Sequence, residues 1–148
     1  MFSENYSRQT AIASATKVLA ADLTDHKLAT LARSEEAKVR AAVAERPNTP
    51  LTSLLLLAQD VAPAVRAGVA RNQRPDLPIE MRQDLAKDKS SEVVYALIEN
   101  PATPESVLSR LTRSFHRDYA GAAKAALTAR KATPRVDAPL TVSVILPN

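Results

Sequence analysis

Apolar positions recur along this chain with a helical period, and the helical segments themselves recur. Val39 and Val43 are four residues apart, which places both side chains on one face of an α-helix. The same pair recurs as Val65 and Val69 and again as Val93 and Leu97. The pattern therefore predicts a series of helices that each bury one face.

A Leu-Ala dipeptide precedes each of these pairs by eight residues. The dipeptides begin at Leu31, Leu57 and Leu85, and a degenerate copy begins at Leu111, so the start points are separated by 26, 28 and 26 residues. The same offsets in three copies indicate an internal helical repeat.

Proline marks the boundary between the two helices of each copy. The first copy contains Arg46–Pro50 and the third contains Asn100–Pro104, whereas the middle segment, Asn72–Pro78, is two residues longer. Proline ends a helix because it lacks the amide donor. We expect Thr49 and Thr103 to be N-caps, each followed by proline at the first helical position. Each copy thus reads as helix, turn, helix.

One such hairpin cannot bury its apolar face alone, so the copies are expected to stack. The sequence predicts an all-α fold, a right-handed α–α superhelix with a non-helical C-terminal tail. The expected divisions are one domain over residues 1–133, with an N-terminal cap at 8–30, repeats at about 31–56, 57–84 and 85–110 and a degenerate copy at 111–133, and an extended apolar tail at 134–148.

The repeat motif resembles a known family. Val-Arg-x-x-Val-Ala, followed by Thr-Pro and Leu-x-x-Leu-Ala, is similar to the variant leucine-rich repeat, a relative in shape of HEAT-like α-solenoids. The motif is carried by Val39–Arg46 and Val65–Asn72, and the third copy departs from it at Val94. The resemblance implies a short solenoid. Some members carry a cysteine cluster for an iron–sulfur centre, but this chain has no cysteine, so no cofactor is expected.

Composition limits the chemistry further. Two Gly and 3% aromatic residues disfavour an all-β fold, and the absence of cysteine removes disulfides, thiolate catalysis and cysteine metal sites. Neither a secretory signal nor an apolar stretch of about 18 residues is evident. We expect a cytoplasmic protein that does not enter membranes, and the abundance of Ala and Arg hints at a bacterial or phage source.

Groups that could perform catalysis are sparse. His26 and His116 lie in different units without a partner at metal-ligand spacing, and the Glu35–Glu36 pair stands at a helix start, where it complements the helix dipole. Phosphate-binding loops and nucleophile motifs are absent. We therefore expect no catalytic residue, no metal site and no enzyme.

The repeat arginines are candidate partner-binding residues. Arg40 and Arg66 are equivalent, so they are expected to lie on one edge of the stack. Bonding to neighbouring helix ends or to carboxylates such as Asp60 is the favoured role. The alternative is a ligand-facing strip formed by these two residues and extended by Arg71, Arg74 and Arg82.

The net charge of +4 is carried entirely by residues beyond 110. On one continuous helix four basic residues would fall within about 40° of one another: Arg113, Arg117, Lys124 and Lys131. Such a stripe could bind phosphates or an acidic protein, or it could be a solvated face. Gly121 is a place where the helix could break.

Two apolar segments are left without an assigned contact. Leu140–Leu146, which includes Val142 and Val144, is β-prone and uncharged, so we expect it to dock on the repeats or to pair with another chain as a homodimer. Leu54–Leu57 covers every side of one helix, which makes Leu56 a further contact candidate.

The leading functional hypothesis is a non-enzymatic protein–protein interaction module built on the solenoid. The alternative is a nucleic-acid-binding protein of HEAT-like shape that uses the basic C-terminal unit and the repeat arginines.

Overall fold

The described part of the chain consists of α-helices joined by short turns. The structure is a computed structural model and describes residues 22–132. The helices are α1 (Asp25–Leu31), α2 (Ala37–Glu45), α3 (Leu51–Leu57), α4 (Pro63–Arg71), α5 (Ile79–Leu85), α6 (Ser91–Glu99), α7 (Glu105–Leu111) and α8 (Arg117–Ala132). Residues 22–132 contain no strand, so the predicted all-α fold is confirmed.

Each full repeat pairs a nine-residue first helix with a seven-residue second helix. The pairs are α2 with α3, α4 with α5, and α6 with α7. The apolar pairs of the first helices and the apolar stripe of the second helices lie in the core: Val39, Val43, Val65, Val69, Val93 and Leu97 from the first helices, and Leu54, Leu57, Met81, Leu85, Val107, Leu108 and Leu111 from the second. The helical period thus identified the buried faces correctly.

The first helices form one closely packed layer in which α4 lies between α2 and α6. Small side chains make this possible, and Gly68 is the tightest point. A Cβ atom at Gly68 would lie 2.8 Å from the carbonyl oxygen of Ala41 and 2.9 Å from the Cβ of Ala44. The backbone of α4 therefore approaches α2 as closely as a glycine allows.

The second helices α3, α5 and α7 form an outer layer. They make their main contacts with the first helices and, for α7, with α8, rather than with one another. Neighbouring second helices therefore lie farther apart than the first helices do. An open space lies between α3 and α5.

The role predicted for Thr49 and Thr103 is wrong. The helices that follow begin at Leu51 and Glu105, one residue after the proline, and neither threonine caps them. Instead each buried hydroxyl donates back to the last turn of the preceding helix, at 2.6 Å to the carbonyl oxygen of Val43 and of Leu97 respectively. Each threonine thus adds a hydrogen bond to a carbonyl oxygen in the last turn of a first helix.

Two asparagines, which the sequence analysis did not single out, join the turns of successive repeats. The amide nitrogen of Asn72 donates to the carbonyl oxygens of Ala44 and Arg46 at 2.8 and 2.9 Å. Asn100 repeats the arrangement on Ala70 and Asn72, at 2.8 Å for both bonds. Each buried side chain therefore satisfies two backbone acceptors of the unit before it.

The last helix, α8, closes the described stack by packing on α6 and α7. It runs without a break through Gly121, where an added Cβ would meet nothing within 4 Å. Ala123 is buried against the core, and Tyr119 packs edge-on against Tyr95 with ring centroids 5.4 Å apart. The degenerate fourth copy is thus one long helix that covers the third.

At the other end, α1 packs on α2 and buries Leu28. It belongs to the predicted N-terminal cap, of which residues 8–21 lie outside the described part, as does the predicted tail at 134–148. None of the helices between residues 22 and 132 combines the length and the hydrophobicity needed to cross a membrane.

Replacing Gly68 with Ala should destabilise the chain, because the new methyl group would overlap the backbone of α2. We expect a loss of about 1–2 kcal/mol in the free energy of unfolding, measured by chemical denaturation. Gly121→Ala is the matched control, because the same methyl group on an exposed helix position should raise stability by about 0.5–1 kcal/mol. Equal effects of the two substitutions would contradict the close approach of α4 to α2.

Candidate functional site

Arg40 and Arg66 each bridge two successive repeats through a two-pronged ion pair. For Arg40, Nε and Nη2 donate to Asp60 at 2.7 and 3.1 Å, and Nη1 donates to the carbonyl oxygen of Ser34 at 2.7 Å. Arg66 repeats these three bonds on Asp88 and on the carbonyl oxygen of Asp60, with the same distances. This is the structural role that the sequence favoured for the repeat arginines.

The two aspartates of these pairs are held ionised. Burial alone would raise the pKa of Asp60, but the bonds from Arg40 and from the amide of Ala62 outweigh it and hold the pKa below its ordinary value. The same balance lowers the pKa of Asp88, which accepts from Arg66 and from the amide of Ser90. Both carboxylates therefore remain charged and occupied by their arginines.

The ion-pair ladder ends where both partners change. The third repeat has Val94 in the arginine position, and the next turn has Ser114 in the aspartate position. Ser114 keeps the local bond of the aspartates, since its hydroxyl accepts from the amide of His116 at 3.1 Å. Arginine and aspartate thus disappear together, which leaves no buried charge without a partner at this interface.

The space between α3 and α5 is an open groove of about 790 Å³. Its lining combines apolar side chains with charged ones: Leu55, Ala58, Val61, Pro78, Met81 and Leu85 are the apolar members, and Gln59, Asp60, Arg66, Glu80, Asp84, Asp88 and Lys89 are the polar ones. Met81 and Leu85 are buried and form the floor. Leu55 and Val61 lie on the α3 side and are 50% and 90% exposed.

The charge of this groove is opposite in sign to that of the chain. Asp60 and Asp88 are neutralised by their arginines. Glu80 and Asp84 are exposed, lie one turn apart on α5, and form no ion pair with any residue between 22 and 132. Lys89 offsets one of these two negative charges, so the groove keeps a net negative charge. The combination of this charge with exposed apolar surface is typical of a protein-binding site rather than of a core.

The four leucines of Leu54–Leu57 divide between core and surface. Leu54 and Leu57 are fully buried, whereas Leu55 and Leu56 are 50% and 44% exposed. Leu55 lines the groove and Leu56 does not. The predicted contact candidate Leu56 therefore lies on the helix that carries the groove wall, but on another side of it.

Arg82 occupies a position that holds a core leucine in the other two repeats. Alignment of the copies matches Arg82 with Leu54 and Leu108, and Arg82 is 3% exposed. Its guanidinium donates to the carbonyl oxygens of Ala102 and Arg74 at 2.9 and 2.8 Å, and burial lowers its pKa. The two-residue insertion that carries Arg74 thus supplies an acceptor for a charge in the core.

Two further arginines of the proposed strip also bond to groups of the chain itself. Arg74 pairs with Asp76 and donates to the carbonyl oxygen of Thr49, and Arg71 pairs with Glu45 at 3.2 Å. They lie toward the turns that follow the first helices, whereas Arg66 reaches the turns that precede them. The structure does not bring these arginines together as one strip.

The predicted basic stripe holds for three of its four residues. Arg117, Lys124 and Lys131 are exposed on one face of α8, but Arg113 is in the turn before this helix, so its assignment to the same helix is wrong. Between Arg113 and Arg117 stands Phe115, whose side chain is fully exposed at 104%. Val142 and Val144, the candidates in the tail, lie outside the described residues.

His26 and His116 are exposed and far apart along the stack, and His116 contacts Tyr119 with ring centroids 4.8 Å apart. Between residues 22 and 132 no three His, Cys, Asp or Glu side chains lie close enough to hold a metal ion together.

Sequence reasoning missed the groove and Phe115. The groove forms between two units, and the sequence of a single unit carries no sign of it. Phe115 carried a signal, since it is an aromatic residue in a turn between two arginines.

Comparison with known families identifies one repeat directly. The family model described as leucine rich repeat variant matches residues 37–61, which span α2, α3 and the turn to α4. The predicted resemblance to this repeat is therefore confirmed. No curated protein and no solved structure matches the chain significantly.

Removing one partner of the ion-pair ladder should destabilise the fold more than removing both. Arg66→Val alone leaves Asp88 as a buried charge without its partner, so we expect a loss of about 3 kcal/mol in the free energy of unfolding. The double variant Arg66→Val/Asp88→Ser copies the Val94 and Ser114 pair that the chain already contains, and it should recover most of that loss. Chemical denaturation of the three proteins measures both effects.

The loss of stability caused by Arg66→Val should depend on pH. Because the pKa of Asp88 is lowered in the folded chain, its pair stabilises above the ordinary aspartate pKa of about 3.9, and the stabilisation disappears as pH falls through the lowered pKa. The stability difference between the wild-type chain and Arg66→Val should therefore shrink below about pH 4. A difference independent of pH would contradict an ionised pair.

Proposed function

We propose that this chain, whose repeats include a leucine rich repeat variant, is a non-enzymatic interaction module that binds a protein partner in the groove between α3 and α5. The observation that carries the proposal is the lining of the groove, where exposed Leu55 and Val61 stand opposite Glu80 and Asp84, whose carboxylates form no ion pair within residues 22–132. Exposed apolar surface on a rigid scaffold, with charged groups at its rim, is typical of a protein-binding site.

The scaffold around the groove favours binding by a preformed surface. The helices on both sides are held through bonds that cross from one repeat to the next, at Asp60 on one side and at Asp88 on the other. A rigid groove loses little conformational entropy when a partner binds. The groove therefore needs no rearrangement to accept a side chain.

A role without catalysis is part of the proposal. General acid–base catalysis requires a carboxyl group whose pKa is raised toward neutral pH. In this groove the pKa values of Asp60 and Asp88 are lowered instead, and their oxygens are occupied by guanidinium and amide donors. Together with the cysteine-free composition, these features fit a cytoplasmic binding protein.

The proposal predicts that peptides selected against the chain depend on the groove. A displayed library of random peptides would be selected on the wild-type protein, and the enriched peptides tested on single variants. Leu55→Lys and Asp84→Lys should weaken binding by about tenfold or more, because they remove apolar surface or reverse the rim charge. Leu56→Lys, on the same helix but outside the groove, is the matched control and should bind as the wild type does.

Two outcomes would contradict the groove as a binding site. One is enrichment of peptides that bind all three variants equally well. The other is selection of peptides that lose binding only on Leu56→Lys, which would move the site to the other exposed side of α3.

A second candidate function is nucleic-acid binding by the basic face of α8. The supporting observation is the unbroken helix that exposes Arg117, Lys124 and Lys131 on one side, with Arg113 in the adjoining turn. Such a face can hold phosphates through ion pairing and release of counterions.

Nucleic-acid binding predicts a steep dependence on salt. In gel-shift titrations with random-sequence duplex DNA and with RNA, affinity should fall strongly between low and moderate salt, and Lys124→Glu should weaken binding about tenfold. Lys38→Glu, the same charge reversal at an exposed position of α2, is the control. Absence of a shift at low salt would exclude this candidate.

A further inference from the structure

We infer that the partner of the groove is a second copy of this chain, which inserts the turn Arg113–Arg117 with Phe115 at its tip. The inference rests on the proposed function of the groove as a protein-binding surface and names its occupant. It is carried by the complementarity between two surfaces described above, the acidic apolar groove and a basic turn with an exposed aromatic ring.

The ring of Phe115 stands in solvent on a turn that hydrogen bonds hold. Its side chain is fully exposed, at 104%. The turn is fixed by bonds from the amide of Ser114 to the carbonyl oxygen of Leu111 at 3.0 Å and from the amide of His116 to the hydroxyl of Ser114 at 3.1 Å. The backbone that carries the ring is therefore held before binding, and aromatic side chains dominate the energetics of interfaces.

The ring cannot reach the groove of its own chain. The turn is joined to α7 on one side and to α8 on the other, and both helices are packed into the stack. The groove lies between α3 and α5, in the middle of the described repeats. Phe115 is not part of the groove lining and stays fully exposed in its own chain, so a ring in the groove would come from another molecule.

The charges of the two surfaces match. Arg113 and Arg117 flank Phe115 and are exposed, and neither forms an ion pair with a residue in the described range. On the groove, Glu80 and Asp84 stand one turn apart beside the apolar floor. An arginine can bond a carboxylate with two parallel hydrogen bonds, so each flanking guanidinium has a suitable acceptor within the groove.

The other charged groups near the two surfaces do not oppose this match. Lys89 lines the groove, and Asp118 follows Arg117 in the first turn of α8. They too have opposite signs. The apolar floor formed by Met81 and Leu85 provides the environment that the ring lacks in its own chain.

Such a contact joins different surfaces of the two molecules. Each copy offers one turn and one groove, so the contact is heterologous, and it either closes as a reciprocal pair or continues to further copies. In both cases the mass in solution must rise with concentration.

The test is sedimentation velocity of the full chain over a range of concentrations. The wild-type chain should associate, and Phe115→Ser and Asp84→Arg should each raise the dissociation constant by about tenfold or more. Leu56→Ser removes exposed apolar surface outside the groove and should leave association unchanged. Circular dichroism confirms that the variants, all at exposed positions, keep the helical fold.

Mixing two variants tests the pairing of surfaces. Phe115→Ser retains an intact groove and Asp84→Arg retains an intact turn, so neither should associate alone at concentrations where the mixture forms a dimer. The mixture should not grow beyond two copies, because the dimer has neither a working turn nor a working groove left.

Three results would overturn the inference. The wild-type chain could remain monomeric at all concentrations, association could persist in both variants, or it could be lost only on Val142→Ser/Val144→Ser, which would assign it to the tail. If the chain is monomeric and selected peptides still depend on Leu55 and Asp84, the groove binds another protein. If neither association nor groove-dependent peptides are found, the proposed function fails as well.

Discussion

Between α2 and α4 the backbones approach so closely that residue 68 has no room for a methyl group. The rest of the molecule follows from this contact. It brings the first helices of two units together, whereas the second helices of the same units make few contacts with one another. The groove between α3 and α5 opens within the same pair of units, so the small residues Ala41, Ala44 and Gly68 close one layer while the other layer stays open.

Bonds that cross from one repeat to the next hold this arrangement. On one edge, arginines reach the aspartates of the following unit, and on the other, asparagines satisfy carbonyl oxygens of the preceding one. Arg130 ends the second series, where its guanidinium donates to the carbonyl oxygens of Asn100 and Thr103. Because each bond connects neighbours only, the stability of the described stack is distributed over its interfaces rather than concentrated in one core.

The sequence was sufficient for the repeat, the helices and their buried faces, because these depend on spacing within one copy. It misassigned Thr49, since a threonine before proline can serve either helix and only the tertiary arrangement decides which carbonyl or amide is near. When the copies are aligned, Asn72 and Asn100 are visible as a recurring residue. Arg82 is visible as an exception, because the other two copies have leucine at its position. The groove was not predictable, because it arises between units and leaves no periodic signal in either one.

Repeats of the same shape carry a risk of stacking in the wrong order, and the differences between these copies counter it. If α6 took the place of α4 against α2, Ala96 would stand where Gly68 does, and its methyl group would overlap the carbonyl oxygen of Ala41. If α4 then met the turn before α8, Arg66 would face Ser114 and have no carboxylate. Departures from the consensus thus disfavour wrong neighbours, so that each hairpin has one correct place in the stack.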